Sequence, residues 1–258
     1  AYARRVLTIL NREFHALLVH ADPRVVRLEE TFPWADQIQI PVAYTGYVTS
    51  AAAWGAPQVA RHRLGLSASR PLVVASAGGG QVGGPLLTAA IAAFEKFQEQ
   101  TPAHLELFSG PYLDGQTFKE LERRQSVSIR VRRFTEDFPA LLAASDLSIS
   151  MAGYNTCMNL VAAGIPALVH PFGQNREQRL RADKIARSAP WQVLTPHDLA
   201  PDRLAELMAR SMSAPRNLEL AIDLDGAARS ARWLAEWSAT DEAPLSGLPL
   251  EPDIPDKD

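Results

Sequence analysis

The hydrophobic pattern of this chain predicts strands that alternate with helices. From Pro71 onwards, short and unbroken apolar runs are each followed by a segment whose apolar residues have helical spacing. The runs are PLVVASA (71–77), HLELFSG (104–110), SVSIRV (126–131), LSIS (147–150), PALVH (166–170) and WQVL (191–194). Unbroken apolar strands between helices are typical of a parallel sheet that is covered on both faces. We therefore predict an α/β fold for most of the chain.

One stretch, residues 134–178, predicts a binding site. Its strand Leu147–Ser150 runs through a sharp turn at Met151–Gly153 into a helix over Asn155–Ala163, which Gly164 ends as a C-cap. A strand that turns through glycine into a helix exposes unpaired N–H groups at the positive end of the helix dipole. Phosphate binds readily at such a helix start. The stretch therefore predicts one half of a nucleotide pocket.

The two ends of the chain give weaker patterns. Residues 1–50 predict a helix at 2–12, strands at 15–20 and 38–42 and a short helix at 25–32, which is too little for a stable domain. We expect this part to be the end of an N-terminal α/β domain whose beginning lies upstream, followed by a linker at 51–58. Residues 51–238 form the main predicted domain, with a last helix at 227–237. The acidic, proline-rich residues 239–258 are expected to be disordered.

Composition narrows the range of functions. A net charge of −3 gives no electrostatic reason to expect nucleic-acid binding. The single cysteine, Cys157, excludes a disulfide within the chain, fits a reducing compartment, and is predicted to pack inside a helix. No apolar run reaches the roughly 20 residues that a membrane span needs. The composition fits one large or two modest globular domains.

The loop at 78–83 matches the pattern G-x-G-x-x-G between a strand and a helix. This is the context of the dinucleotide fingerprint, which also requires an acidic residue at the end of the second strand to bind the ribose. Here that strand ends in Phe108-Ser109-Gly110, without an acid. A glycine-rich turn with no ligand is one alternative. We favour a third interpretation, in which the backbone of the loop approaches a diphosphate or an acceptor. The dinucleotide site of a dehydrogenase would need the missing acid.

Several further polar residues need a functional or a structural interpretation. His20 and Asp22 lie at a strand end, where a base and a carboxylate can transfer a proton, although a surface turn explains them equally well. Asp223 and Asp225 imitate a D-x-D metal motif, but Asp225 is better explained as a helix cap. His170 ends a buried strand and is expected to be a core histidine with satisfied hydrogen bonds.

The motif F…AASDLSISMAGYNT…AAGIPAL…PF…Q in residues 134–178 resembles the C-terminal, donor-binding domain of MurG-type glycosyltransferases. VHADPR, TFP and YTGYV, which precede the glycine loop, extend the resemblance to a group of bacterial predicted glycosyltransferases. The resemblance implies the GT-B fold, with a Rossmann-like donor domain and the remnant of an N-terminal domain. It also implies an inverting hexosyltransferase that transfers a sugar, GlcNAc in the family, from a UDP-sugar without metal or another cofactor.

The resemblance also implies roles for individual residues. The backbone of Phe134 and Thr135 would hold the uracil edge. Gln174, Glu177 and Gln178 would face the donor sugar, where a carboxylate and a carboxamide suit vicinal hydroxyl groups; at a helix start they are also favourable first-turn residues. The residues that would present N–H and hydroxyl groups to the diphosphate are Ala152, Gly153, Tyr154, Asn155 and Thr156, while Gly79, Gly80 and Gln81 would border the cleft.

Two departures from the family pattern leave the function open. The glutamate that binds both ribose hydroxyls in the family falls on Asn159, and an amide lacks the charge-assisted strength of a carboxylate. Most of the acceptor domain is absent from the sequence, so the missing part would come from further N-terminal sequence or from a partner chain, as in the two-chain UDP-GlcNAc transferase of the dolichol pathway. A UDP-sugar 2-epimerase and a non-catalytic sugar-nucleotide-binding subunit remain alternatives. The acceptor is unknown, and the expected location is cytoplasmic, with peripheral attachment to the inner membrane surface left open.

Overall fold

A computed structural model describes residues 2–49, 57–67, 69–214 and 222–240. The chain divides into two compact units, residues 50–220 and a smaller unit in which residues 1–49 join residues 221–258. The elements in chain order, with two 3-10 helices at Ala35–Gln37 and Pro196–Leu199, are α1 (Tyr2–Glu13), β1 (Leu17–Val19), α2 (Leu28–Thr31), β2 (Val42–Tyr44), α3 (Pro57–Arg63), β3 (Leu72–Ser76), α4 (Gly84–Phe97), β4 (His104–Phe108), α5 (Gly115–Glu122), β5 (Ile129–Arg132), α6 (Phe138–Ala144), β6 (Leu147–Met151), α7 (Tyr154–Ala163), β7 (Ala167–His170), α8 (Arg176–Ile185), β8 (Trp191–Val193), α9 (Pro201–Met212) and α10 (Gly226–Thr240).

The larger unit is a six-stranded sheet in the order β5-β4-β3-β6-β7-β8, and every strand pair in it is parallel. Odd-numbered apolar residues of β4, such as Leu105 and Leu107, face a core shared with α4 and α9. On the other face, the ring of Phe108 contacts that of Phe138 in α6 at 5.5 Å. The predicted α/β fold with helices on both faces is confirmed.

The buried glutamate of the second face shows how a charge is accommodated in this sheet. Glu106 is fully buried and accepts hydrogen bonds from His104 at 2.9 Å and from Arg132 at 2.5 Å. Burial acts to raise the pKa of Glu106, but these hydrogen bonds and the nearby positive charge outweigh it, so the pKa lies below its ordinary value. The carboxylate is therefore held in its charged form by its neighbours on β4 and β5.

The smaller unit differs from the sequence prediction in three places. The strand predicted at 38–42 begins only at Val42, because Pro41 has no N–H for a strand ladder, and its carbonyl accepts from Leu17. The helix predicted at 25–32 is reduced to α2, since the amides of Val25 and Val26 close a turn on the Asp22 carbonyl. The last helix, α10, joins this unit and not the larger one.

The close packing of α10 in the smaller unit rests on two glycines. A methyl group on Gly226, the first residue of α10, would lie 2.4 Å from the carbonyl oxygen of Gly46. A methyl group on Gly46, where φ is +85°, would lie 2.6 Å from a carboxylate oxygen of Asp223. Trp233 of α10 is buried. The predicted linker at 51–58 lies outside the described residues except for Pro57 and Gln58, and the predicted disordered tail lies outside them except for Ala239 and Thr240.

Candidate functional site

The strand order places a crevice between β3 and β6. The chain leaves β3 towards β4 on one side and, after β5, returns to β6 on the other side of β3. Loops that leave two neighbouring parallel strands in opposite directions open a crevice at the carboxyl ends of those strands. The two loops are the glycine-rich loop at 77–83 and the turn at 152–153. These two loops therefore border the candidate site of the larger unit.

The glycine-rich loop has its shape because backbone packs against backbone. Gly80 has φ of +94°, and a methyl group there would lie 2.3 Å from the carbonyl oxygen of Ser109. A methyl group on Gly83 would lie 2.2 Å from the Cβ of Ala77, so this glycine allows α4 to approach β3 closely. A methyl group on Gly79, in contrast, would make only an ordinary contact of 3.7 Å with Tyr112. Gly79 and Gln81 are exposed, whereas Gly80 is buried.

The turn after β6 leads directly into the N-terminus of α7. Gly153 is the N-cap residue, in an extended conformation, and as a glycine it has no side chain with which to cap the helix. A methyl group on Gly78 or on Gly153 would lie 3.9 Å or 4.0 Å from the hydroxyl oxygen of Thr156. The Thr156 hydroxyl therefore lies close to both loops of the crevice. Asn155 is exposed on the first turn, and Asn159, four residues further on, shares its side of the helix and is half-buried.

One residue of the expected diphosphate-binding set has another partner. The amide of Ala152 donates to the carbonyl of His170 at 3.0 Å, which extends the pairing of β6 with β7. The resemblance implied that Ala152 presents its N–H to the diphosphate, whereas in the structure this N–H is used within the sheet. The amides of α7 begin at Tyr154, after the strand pairing has ended. The helix therefore supplies the N–H groups of this turn without Ala152.

The loop between β7 and α8 brings together the residues expected to face the sugar. Asn175 caps α8 by accepting from the amide of Gln178 at 3.0 Å, and the side-chain oxygen of Gln178 accepts from the amide of Phe172 at 3.0 Å. The side-chain oxygen of Gln178 therefore holds the loop, and this hydrogen bond does not use the side-chain nitrogen. Gln174 is exposed, and the side chain of Glu177 is 59% exposed.

Arg181 lies behind this site and did not figure in the sequence prediction. Only 4% of it is exposed; one guanidinium nitrogen donates to Glu177 at 2.8 Å and the other to the carbonyl of Ala152 at 3.4 Å. Its guanidinium also lies 5.5 Å from the ring centre of Tyr154. The spacing of Glu177 and Arg181 was the available signal, but α8 carries several charges, and nothing local shows which arginine is buried.

The loops after β4 and β5 complete this edge of the sheet. The amide of Gly110 donates to the carbonyl of Arg133 at 3.0 Å, which holds the two loops together. Phe134 is 69% exposed, and the hydroxyl of Thr135 accepts from the amide of Asp137 at 3.2 Å. The structure thus places Phe134 and Thr135 at the same edge as the crevice, in the loop that follows β5.

The expected proton-transfer pair lies in the smaller unit and has a structural arrangement. Asp22 is fully buried and accepts from the guanidinium of Arg24, at 2.7 Å, and from the amide of Asp223, at 3.1 Å. A carboxylate with these partners holds the chain before α10 in place, and it is not arranged as a free base. His20 is exposed, and its Nδ1 lies 2.9 Å from the hydroxyl of Thr45.

The remaining polar candidates are explained by local contacts. Asp223 accepts from the amide of Asp225 and from Arg229, which gives the D-x-D sequence a structural role before α10. His170 differs from the expected satisfied core histidine, since its buried Nδ1 has no hydrogen-bond partner among the described residues. Burial also lowers the pKa of His170 and raises that of the Cys157 thiol to about 11. Cys157 therefore behaves as a packing residue.

The described residues contain neither a cluster of metal ligands nor a helix suited to a membrane. No three His, Cys, Asp or Glu side chains in this part of the chain group together as metal ligands would. No helix in this part of the chain has the length and apolar character needed to cross a membrane.

Comparisons with known proteins match both the fold and the region of the crevice. Residues 74–228 match the model of the glycosyltransferase family 28 C-terminal domain. The UDP-N-acetylglucosamine–N-acetylmuramyl-(pentapeptide) pyrophosphoryl-undecaprenol N-acetylglucosamine transferase of Brucella anthropi is 30% identical over 108 residues, which are 41% of this chain and 29% of that protein. The transferase of the same name from Bartonella henselae is 29% identical over 108 residues, again 41% of this chain and 29% of its own. The chain spans under a third of the curated relatives it matches.

Solved structures with a similar fold include glycosyltransferases. The MurG structure from Acinetobacter baumannii has a TM-score of 0.57 and 18% identity, over 78% of this chain and 58% of that one. HepE from Anabaena, in complex with UDP and glucose, has a TM-score of 0.58 and 15% identity, over 92% of this chain and 66% of that one. These likenesses support the GT-B architecture. Because the family model covers more than half of the sequence, the chain belongs to the glycosyltransferase family 28 C-terminal domain family.

Proposed function

We propose that the larger unit binds the diphosphate of a UDP-sugar in the crevice between β3 and β6, and that the protein takes part in transfer of the sugar. The observation that carries this proposal is the start of α7. The N-cap residue Gly153 has no side chain with which to cap this helix, and the Thr156 hydroxyl lies beside both the turn and the glycine-rich loop. Unpaired helix amides and the helix dipole favour a phosphate at this position.

The nucleoside would extend from the diphosphate towards the loop after β5. The backbone of Phe134 and Thr135 would bind the uracil edge, and Asn159 would bind a ribose hydroxyl from the side of α7 that it shares with Asn155. An amide in place of a carboxylate leaves this hydrogen bond without charge assistance. We therefore expect UDP to bind, with an affinity limited at the ribose.

The sugar would lie against the start of α8. The amide nitrogen of Gln178, the carboxylate of Glu177 and the exposed Gln174 offer donors and acceptors for hydroxyl groups. The curated relatives carry N-acetylglucosamine transferase in their names, which supports GlcNAc as the first donor to test. HepE was solved with UDP and glucose, so UDP-glucose is the appropriate second donor.

The transfer would be a single in-line displacement with inversion. A bond forms between an acceptor oxygen and the anomeric carbon while the bond from that carbon to the β-phosphate oxygen breaks, and its electron pair leaves with UDP. The acceptor proton passes to a base. Asp22 is occupied by Arg24 and by the amide of Asp223, so it is not arranged to act as that base.

We propose that the leaving diphosphate is stabilised by the start of α7 and needs no metal ion. Under this proposal, EDTA leaves UDP binding and UDP release unchanged. A requirement for Mg²⁺ or Mn²⁺ that EDTA abolishes would contradict it. A donor-binding subunit without catalysis of its own is a second candidate, and the engagement of Asp22 favours it. The two are separated by UDP release from UDP-GlcNAc, measured with the isolated chain and then with an acceptor domain supplied.

The first experiment compares UDP with NAD in a thermal denaturation titration. A ligand that binds only the native state raises the denaturation temperature, so UDP should stabilise the chain and NAD should not. NAD is the informative control because the glycine loop carries the G-x-G-x-x-G pattern, although Ser109 and Gly110 leave the ribose without an acid. Stabilisation by NAD without any by UDP would overturn the proposed function.

A further inference from the structure

A buried arginine lies directly behind the start of α7. Arg181 is 4% exposed, contacts the carbonyl of Ala152 and lies near the Tyr154 ring, so it touches the turn from the protein side. It also acts on the thiol of Cys157, where its charge opposes the effect of burial on the pKa. These contacts fix a positive charge beneath the backbone that the proposed function assigns to the diphosphate.

The charge of Arg181 is only partly compensated. Its carboxylate partner, Glu177, is 59% exposed, so water screens the negative charge more strongly than the buried positive one. The contact with the Ala152 carbonyl is long, at 3.4 Å, and Nε is buried without a hydrogen-bond partner among the described residues. A buried cation is unfavourable unless its charge is balanced, and the exposed carboxylate of Glu177 balances that of Arg181 only in part. The anion proposed for this crevice is the diphosphate.

We propose that Arg181 is a positioning residue that holds Glu177 and the β6–α7 turn in one frame and supplies a fixed positive charge behind the diphosphate. The inference rests on the proposed function of the crevice. The guanidinium bridges the element expected to face the sugar and the element expected to face the phosphates, and its planar fork suits two oxygen partners at once. The binding affinity for a nucleoside diphosphate should therefore depend on Arg181, whereas the affinity for a nucleoside without phosphate should not.

The same helix offers a matched control. Arg179 is exposed and paired with Asp183 at 2.7 Å, four residues along α8. Replacement of either arginine by glutamine removes the same charge from the same helix. Only Arg181→Gln removes it from behind the turn, so a difference between the two variants reports the position of the charge.

The test is calorimetric titration of UDP and of uridine into the wild-type chain, Arg181→Gln, Arg181→Lys and Arg179→Gln. Arg181→Gln should weaken UDP binding roughly 10- to 100-fold, the range expected for a charge-assisted interaction, and leave uridine binding within about twofold. Arg181→Lys keeps the charge and should recover part of the loss. Arg179→Gln should match the wild type. Equal losses for UDP and uridine would show a purely structural role and overturn the inference.

A second variant tests the same inference through tighter, not weaker, UDP binding. Its result does not depend on whether Arg181→Gln folds. Glu177→Gln removes the exposed partner of Arg181, so more positive charge faces the diphosphate and UDP binding should tighten several-fold. Unchanged or weaker UDP binding in Glu177→Gln would contradict the inference. A wild-type chain that binds uridine and UDP equally would also overturn it, while one that binds neither refutes the proposed function itself.

Discussion

Replacement of Gly80 by alanine tests whether the crevice is built as described. The substitution forces an L-residue to φ of +94° and places a methyl group 2.3 Å from the carbonyl oxygen of Ser109. The backbone strain is about 1–3 kcal/mol, and relief of the overlap adds about 1–3 kcal/mol, as for other overpacked sites. The free energy of unfolding should therefore fall by roughly 2–6 kcal/mol.

The assay is thermal unfolding of the full chain, with Gly115→Ala as the matched control. Each kcal/mol lowers the denaturation temperature by about 2–4 °C for a protein of this size, so Gly80→Ala should lose roughly 4–24 °C. Gly115 is the first residue of α5, and a methyl group there would meet nothing within 4 Å. Its replacement should leave the temperature unchanged or raise it slightly, by restricting the unfolded chain.

The outcome also separates packing from binding. Gly80→Ala should weaken UDP binding because the loop must move to accept the methyl group. Gly79→Ala adds a methyl group at an exposed position that contacts only Tyr112, so it should keep the stability and lower UDP affinity if the loop borders the ligand. A Gly80→Ala variant as stable as Gly115→Ala would refute the reasoning about the loop.

Three further predictions concern other residues. Asn159→Glu should tighten UDP binding roughly 3- to 30-fold by calorimetry, since hydrogen bonds to charged groups contribute about 1.5–3 kcal/mol against about 1 for neutral ones; unchanged affinity would mean that Asn159 does not reach the ribose. Because the pKa of Glu106 is lowered in the folded state, its contribution to stability is full above about pH 4.5 and is lost as the pH falls below that value. Glu106→Gln should lower the stability at neutral pH by about 3 kcal/mol and flatten the acid limb of the unfolding profile, and an unaltered profile would contradict this account. The Cys157 thiol, with its pKa raised to about 11 by burial, should resist a thiol reagent at pH 7 until the chain unfolds, and rapid labelling of the native chain would contradict its burial.

The features of the fold that depend on local pattern could be predicted from the sequence. The strand–turn–helix unit around Gly153 and the end of α7 at Gly164, where φ is +60°, follow from apolar runs and from glycine at a helix C-terminus. The sequence predicts that the strands are parallel but not their order, because it does not show on which side of β3 the chain returns. The position of the crevice between β3 and β6 follows only from that order.

Features that depend on distant contacts could not be read from local sequence. The carboxylate of Asp22 accepts a hydrogen bond from the amide of Asp223, which is distant in the sequence. Because of this contact, Asp22 is interpreted as a structural carboxylate and not as a base. The close approach of Gly226 to Gly46 places α10 in the smaller unit, although its sequence is an ordinary amphipathic helix. Arg181 is one of several charged residues on α8, and only the packing of α8 against the β6–α7 turn shows that it is buried.

A crystal structure of the chain with UDP tests the central claim most directly. The account predicts the diphosphate at the start of α7, with its oxygens within hydrogen-bond distance of the amides of Asn155 and Thr156 and of the Thr156 hydroxyl, and with the glycine-rich loop on its other side. It also predicts the uracil beside the loop that carries Phe134. UDP bound elsewhere on the chain, or a diphosphate that makes no contact with α7, would contradict it.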